Sequence, residues 1–254
     1  MAFEESSQPV GAAETDPSRT GKQVGVPWET SDILKAISLV ILGAIFVLIP
    51  AAIAIAIIDR PGSDAETLAL LAPSLALEGL LLLVAIRFTV GKYHVPWANL
   101  GFRKPDRGGW WLPPLLVVSA WITVVAYFVI VDAVGAGALG DQSQFPDEAF
   151  KSPVVIPLVG VLAIIAAPIA EETFFRGFVF GGLRKRWGLA GAIFASGLLF
   201  GLAHLLPLLY ITFTLIGMLF AFGYIYSGSI WTPIAAHVLF NSISFIASVA
   251  IEGS

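Results

Sequence analysis

Residues 171–176 read EETFFR and lie inside an otherwise apolar stretch, residues 154–183. Placing an ionisable side chain in the middle of a membrane costs roughly 2.5–3.5 kcal/mol on insertion scales, so such residues usually serve a function or pair with one another. The three charges of this stretch are Glu171, Glu172 and Arg176. We therefore expect the functional site to be built around them.

The composition places the chain among membrane proteins. Hydrophobic residues make up 57% and charged residues 13% of its 254 residues, and its mean hydropathy of +0.87 is far above that of a soluble domain. We predict an all-α fold, a polytopic transmembrane helical bundle. The net charge of −4 forms no basic stripe, so nucleic acid is not an expected partner. The lack of cysteine excludes disulfides, thiol nucleophiles and cysteine-bound metals.

Apolar stretches of about 20 residues, long enough to cross a bilayer, predict about seven spans. The first 32 residues are polar and predict a disordered cytoplasmic tail. Residues 33–152 hold the N-terminal transmembrane helices, and residues 153–250 hold the core with the charged motif. A short apolar break around Pro207 leaves six or eight spans open. The predicted spans lie near residues 33–58, 67–89, 110–135, 153–183, 188–206, 208–226 and 230–250.

The distribution of basic residues predicts the orientation. The segments after the first and third spans contain only two basic residues, Arg60 and Lys151, whereas the segments after the second and fourth spans are rich in Lys and Arg. Because basic loops stay cytoplasmic, we predict a multi-pass protein of the cell membrane with a cytoplasmic N-terminus. The basic residues of the second and fourth segments are Arg87, Lys92, Arg103, Lys104, Arg107, Arg184, Lys185 and Arg186.

Helical spacing separates the roles of the two glutamates. Adjacent residues point about 100° apart on a helix, so Glu171 and Glu172 cannot both face one point. Glu172 and Arg176 are four residues apart with the acid first, the favoured order for an ion pair. Arg176 then neutralises Glu172 and leaves Glu171 available as a general base. The alternative is a purely structural ion pair, which leaves Glu171 unexplained.

Two further polar motifs follow in apolar helices. His204 ends the segment FGLAH, and His237 and Asn241 share one helical face because they are four residues apart. Each could equally be a packing residue that hydrogen-bonds between helices, and the His–Asn pair could instead donate to a developing oxyanion.

The depth of the motifs in the membrane favours a common site. If residues 184–186 mark the cytoplasmic interface, Glu171 lies ~21 Å along one helix and His204 ~28 Å along the next. His237 and Asn241 lie roughly 10–20 Å into the last span. A proline lies close to each motif and frees helix carbonyls that a watery cavity would satisfy. These prolines are Pro168, Pro207 and Pro233.

The ordered motifs resemble those of the CPBP family of membrane endopeptidases, which includes CAAX prenyl proteases and bacteriocin-processing proteins. The resemblance rests on AEETFFRG at residues 170–177, then Phe200-x-x-x-His204, then His237-x-x-x-Asn241, and it covers about residues 153–245. It implies an all-helical intramembrane protease of the glutamate type. Such an enzyme hydrolyses a peptide bond without a covalent acyl-enzyme.

The resemblance also implies partners and residue roles. The expected partners are the lipid bilayer and a peptide or protein substrate that is membrane-tethered or ends in a CAAX-like sequence, prenylated in some members. No cofactor and no metal are expected. The implied roles are water activation by Glu171 and His204, support of the site by Glu172 and Arg176, and oxyanion binding by His237 and Asn241.

Other chemistries are weighed on the same residues. No His is followed by Glu, as a His-Glu-x-x-His zinc protease requires, and only Asp132 lies in a predicted span, where an aspartyl protease needs two aspartates. A zinc-dependent membrane metalloprotease stays open because two His and one Glu match catalytic zinc ligands. A catalytically idle immunity or scaffold protein and a proton-coupled carrier are further alternatives. For Glu78 in the second span we favour a structural role, such as pairing with Lys35, over lining the cavity.

Overall fold

The computed structural model describes residues 25–58, 64–135, 150 and 152–252. Helices make up almost all of these residues, and no strand occurs in the described ranges. Six helical segments are long and apolar enough to cross a membrane, which confirms the predicted helical bundle. Within the described ranges the α-helices are α1 Thr30–Ile57, α2 Asp64–Ile86, α3 Leu112–Ala133, α4 Val155–Val161, α5 Ala167–Glu172, α6 Gly181–Ala203, α7 Tyr210–Ser227 and α8 Trp231–Glu252.

Short π-helical and 3-10 segments interrupt or extend these helices. π-Helical turns follow α2, separate α4 from α5 and separate α5 from α6, whereas 3-10 turns precede α3 and α7. π-Helical segments inside helices are rare and frequently occur at functional sites. The π-helical segments are Arg87–Gly91, Leu162–Ala166 and Thr173–Phe180, and the 3-10 turns are Trp97–Leu100 and Pro207–Leu209.

One helical run is interrupted by a turn. Val155–Ala203 has 49 residues, which at 1.5 Å per residue would extend to ~74 Å, more than twice the ~30 Å hydrocarbon layer. The chain turns at Gly188, whose φ of 67° and ψ of −174° are not helical. The run therefore consists of two helices, which correspond to the fourth and fifth predicted spans, and the six apolar segments agree with six to seven spans.

Glycine allows α6 and α7 to pack with their backbones in contact. A methyl group on Gly197 would lie 2.9 Å from the backbone nitrogen of Met218, and one on Gly217 would lie 2.9 Å from the Gly197 Cα. Small residues at such crossings let transmembrane helices approach closely. This contact sets the position of the end of α6, where His204 lies.

The segment before α1 packs into the bundle. Trp28 is 1% exposed, and its indole N–H donates to the Phe178 carbonyl over 2.9 Å. Residues 1–24 of the predicted tail lie outside the described residues, and α1 begins at Thr30. The Trp28 contact therefore joins the entry of the chain to the π-helical segment next to the charged motif.

Candidate active site

The predicted pair of Glu172 and Arg176 is present and fully buried. Arg176 Nη1 donates to Glu172 Oε1 over 2.8 Å, and both side chains have no exposed surface. Arg176 Nη2 donates to the Gly217 carbonyl of α7 over 3.1 Å, and the guanidinium lies 4.4 Å from the centre of the Phe200 ring. Because a buried charge requires a partner, these contacts fix both ends of the pair.

His237 connects α8 to both glutamates. Its Nδ1 lies 3.0 Å from Glu172 Oε1, and its Nε2 lies 3.9 Å from Glu171 Oε2. The contact of Nδ1 with Glu172 is short enough for a hydrogen bond, whereas the contact of Nε2 with Glu171 is too long for one. Glu172 therefore holds the imidazole by one nitrogen and leaves the other facing Glu171. Sequence spacing could not predict this contact, because the two residues are 65 positions apart.

Glu171 differs from Glu172 in the contacts of its carboxylate. In both residues Oε2 is buried and accepts no hydrogen bond within the described part of the chain, but Oε1 of Glu172 is bonded to Arg176 and His237. The Glu171 side chain is 13% exposed. Most buried polar atoms in proteins have a partner, so an orphaned carboxylate oxygen usually has a functional reason. The structure thus shows no hydrogen-bond partner for Glu171 Oε2 among the residues that it describes, and the role of Glu171 as a general base stays a prediction.

The π-helical segment that follows the glutamates is supported by other parts of the chain. Thr173 donates to the Ile169 carbonyl, and Ser196 of α6 donates to the Phe175 carbonyl over 2.9 Å. Every residue of this segment is buried. A transmembrane helix with altered hydrogen bonding needs such donors because lipid supplies none.

His204 caps the C-terminal end of α6 near the pair. Its Nδ1 lies 2.8 Å from the Phe200 carbonyl, and a carbonyl only accepts, so Nδ1 carries the hydrogen and Nε2 keeps its lone pair in the neutral ring. The ring stacks on Phe213 with centroids 4.2 Å apart. Phe200 contacts both His204 and His237. Among the described contacts, none joins His204 directly to Glu171.

Asn241 lies one helical turn beyond His237 and faces the same site wall. Its Nδ2 donates to the Ala163 carbonyl over 2.7 Å, a carbonyl of the π-helical turn Leu162–Ala166. An amide nitrogen has two hydrogens, so one stays available. The structure therefore brings Glu171, Glu172, Arg176 and His237 into one cluster, with His204 and Asn241 at its edges.

Glu78 of α2 lies close to the candidate active site. Its carboxyl group interacts with that of Glu171, and its Oε2 is buried without a partner among the described residues. This placement favours the alternative of lining the cavity over the structural pairing with Lys35 that was favoured from the sequence. The signal available in the sequence was only that Glu78 is an acid in the middle of an apolar span.

Across the described residues, no group of three or more His, Asp and Glu side chains is arranged to hold a metal ion. One nitrogen of each histidine is bonded within the protein, to Glu172 for His237 and to Phe200 for His204, as is also usual for histidines that bind a metal through the other nitrogen.

Sequence comparisons relate this geometry to known proteins. Residues 153–243 match the family described as type II CAAX prenyl endopeptidase Rce1-like. YdiL of Bacillus subtilis (strain 168), described as a candidate membrane peptidase, is 34% identical over 114 residues. That match covers 45% of this chain and 46% of the relative, about half the length of each. No solved structure is significantly similar to this chain. Over the matched region, the comparisons confirm the resemblance drawn from the three motifs.

Proposed function

We propose that this chain is an intramembrane endopeptidase that hydrolyses a peptide bond with water activated by Glu171. The observation that carries the proposal is the difference between two adjacent glutamates. Glu172 Oε1 is bonded to both Arg176 and His237, whereas Glu171 Oε2 accepts no hydrogen bond among the described residues and lies 3.9 Å from His237 Nε2. The match to the CAAX endopeptidase family and to a candidate peptidase supports the same reaction class.

Glu171 is the general base in this mechanism. It accepts a proton from water while the water oxygen bonds to the peptide carbon, and the carbonyl electrons move onto the carbonyl oxygen. Nε2 of His204 accepts a hydrogen bond from the same water, because its Nδ1 hydrogen is held by Phe200. The proton on Glu171 then passes to the leaving nitrogen as the C–N bond breaks.

Asn241 and His237 stabilise the tetrahedral oxygen. The second amide hydrogen of Asn241 is free to donate, because only one is used by Ala163. Glu172 orients His237 so that Nε2 faces the reacting centre. In its imidazolium form His237 donates Nδ1–H to Glu172 and donates a hydrogen bond from Nε2–H to the same oxygen. Donors fixed before the reaction are worth about 10²–10³-fold in rate. Arg176 is a positioning residue, since it acts through Glu172.

The substrate we propose is a membrane-tethered peptide or a protein with a C-terminal CAAX-like sequence that enters from the cytoplasmic side. The site lies within an apolar bundle, so the substrate must itself carry an apolar or lipidated segment to reach it. The description of the matched family as a CAAX prenyl endopeptidase family and of the relative as a candidate membrane peptidase supports a peptide substrate in a bilayer.

The proposal is tested by cleavage of membrane-tethered and prenylated reporter peptides with purified wild type, Glu171→Gln, His204→Ala and Asn241→Ala. His94→Asn is the matched control, because His94 is exposed and lies outside the site. We expect cleavage by wild type and by the control, and losses of about 10²–10⁴-fold for the three site variants. Equal thermal transitions would show that all variants are folded.

Three outcomes would favour other functions. Cleavage that a chelator abolishes would indicate a zinc-dependent membrane metalloprotease. Binding of the reporter panel without cleavage by wild type would support a catalytically idle immunity or scaffold protein. Proton-coupled flux in vesicles that tolerates Glu171→Gln would support a carrier.

A further inference from the structure

A basic cavity lies near the end of the bundle that carries Arg184, Lys185 and Arg186. It has a volume of about 280 Å³, and its walls contain three cationic side chains, those of Arg103, Arg184 and Lys185. Asn99 and Tyr224 add neutral polar groups. No acidic side chain is among the described residues that line it. Three cationic side chains around one concave space raise its positive potential, which attracts an anion.

The walls of the cavity are held in place by hydrogen bonds to the backbone and by close packing. Arg103 Nε donates to the Gly228 carbonyl over 2.5 Å, which fixes its side chain. The Tyr224 side chain is 5% exposed and lies against Gly101, whose added methyl would be 2.8 Å from the Tyr224 oxygen. Gly181 faces Val26 and Trp28 of the entry segment. The cavity is thus formed where four separate parts of the chain meet.

Aromatic residues place this cavity at the level of lipid headgroups. Trp97 lies next to the lining residues 98 and 99, and Trp187 is two residues beyond Lys185; they are 47% and 53% exposed. Exposed tryptophan in a membrane protein is typical of the membrane–water interface. Basic pockets between transmembrane helices at this level bind lipid headgroups. A free phosphate compound shares the same chemistry but would not need the interfacial position.

The geometry points to a binding site for the phosphate group of an anionic phospholipid in this basic cavity. The site is separate from the candidate active site, since Gly181 lies ~15 Å along the helical run from Glu171. The assignment does not depend on the proposed protease activity. In it, Arg103, Arg184 and Lys185 bind the phosphate oxygens, and the acyl chains extend along the apolar surface of the bundle.

Lipid retention by the purified full-length chain tests the assignment. The protein is exchanged into neutral micelles that contain equal amounts of phosphatidylglycerol and phosphatidylcholine with the same acyl chains, and bound lipid is counted by native mass spectrometry. We expect phosphatidylglycerol to be retained about tenfold better than phosphatidylcholine. Arg184→Gln and Lys185→Gln should each reduce that preference about five- to tenfold.

Matched controls separate the cavity from general surface charge. Arg186→Gln and Lys104→Gln remove neighbouring cations that do not line the cavity and should change retention less than twofold. Asn99→Asp adds a negative charge to the lining with almost no change in volume, so it should weaken retention even if Arg184→Gln fails to fold. Equal losses in all four cation variants, or no preference for phosphatidylglycerol, would overturn the assignment. Displacement of the lipid by an equal concentration of glycerol phosphate would overturn the lipid as ligand and indicate a site for soluble phosphates.

Discussion

Removal of both partners from the buried pair of Glu172 and Arg176 should destabilise the protein less than the sum of the two single removals. Both side chains are fully buried and joined over 2.8 Å. Breaking such a pair by removing one partner costs about 3–5 kcal/mol, because the remaining charge has no compensation. We expect about 3 kcal/mol for Glu172→Gln, since the amide oxygen still accepts a hydrogen bond from Arg176.

Arg176→Met should cost about 5 kcal/mol, because two further contacts are lost. The Gly217 carbonyl loses its donor, worth about 1–3 kcal/mol, and Phe200 loses a cation held 4.4 Å away, worth about 2 kcal/mol in a desolvated site. The double variant should also cost about 5 kcal/mol rather than the sum of about 8, because the uncompensated Arg176 charge is absent. The coupling energy is then about 3 kcal/mol, at the upper end for contacting residues.

Reversible unfolding by SDS in mixed micelles, followed by the fluorescence of the seven tryptophans, measures these energies. Arg186→Gln is the control, because Arg186 is exposed, and it should change the free energy of unfolding by less than about 0.5 kcal/mol. If the losses of the two single variants add to within 0.5 kcal/mol in the double variant, the two charges do not interact and the reasoning about a buried pair is wrong.

Three further perturbations test other parts of the structure. Glu78→Gln should lower kcat/KM for reporter cleavage up to about 100-fold without changing the thermal transition, because Glu78 lies against Glu171; unchanged kcat/KM would contradict a role at the site. Gly197→Ala should lower the free energy of unfolding by about 1–3 kcal/mol, because the added methyl group meets the α7 backbone. Gly79→Ala is the control and should be neutral or stabilising, because nothing lies within 4 Å of the added methyl group. Equal effects of the two substitutions would refute the close contact of α6 and α7. Hydrogen bonds to Asp32 raise the pKa of Lys92 and the pKa of Tyr93 above their ordinary values of 10.5 and 10.0. The contribution of these two hydrogen bonds to the stability of the fold is therefore complete below pH 10 and is lost as the pH rises through the raised pKa values. Tm of Tyr93→Phe should therefore fall less than that of wild type between pH 10 and 12, and parallel curves would rule out the Tyr93 contribution.

Residue spacing in the sequence correctly predicted contacts between residues of the same helix. The contact between Glu172 and Arg176 follows from four-residue spacing on one helix, and so does the common face of His237 and Asn241. The helical bundle follows from long apolar stretches, which in lipid leave few alternatives to a helix. The turn at Gly188 lies at the predicted start of the fifth span.

Contacts between helices distant in sequence could not be predicted in this way. The placement of Glu78 near Glu171 depends on how α2 packs on α5. Glu78 is an isolated acid in an apolar span, so no regular spacing in the sequence identifies its partner. The hydrogen bond of His237 to Glu172 also depends on helix packing, and the spacing of His237 and Asn241 gave no indication of it. The π-helical segment after Glu172 depends on donors such as Ser196 and Trp28, which lie far away in the sequence.

The most direct test of the central claim compares single-turnover cleavage of one membrane-tethered reporter by wild type and Glu171→Gln. The amide keeps the size of the side chain but cannot accept a proton from water. We predict that Glu171→Gln retains the thermal transition of wild type and cleaves at least about 100-fold more slowly. Cleavage by the folded Glu171→Gln variant within threefold of the wild-type rate would contradict the assignment of Glu171 as the general base.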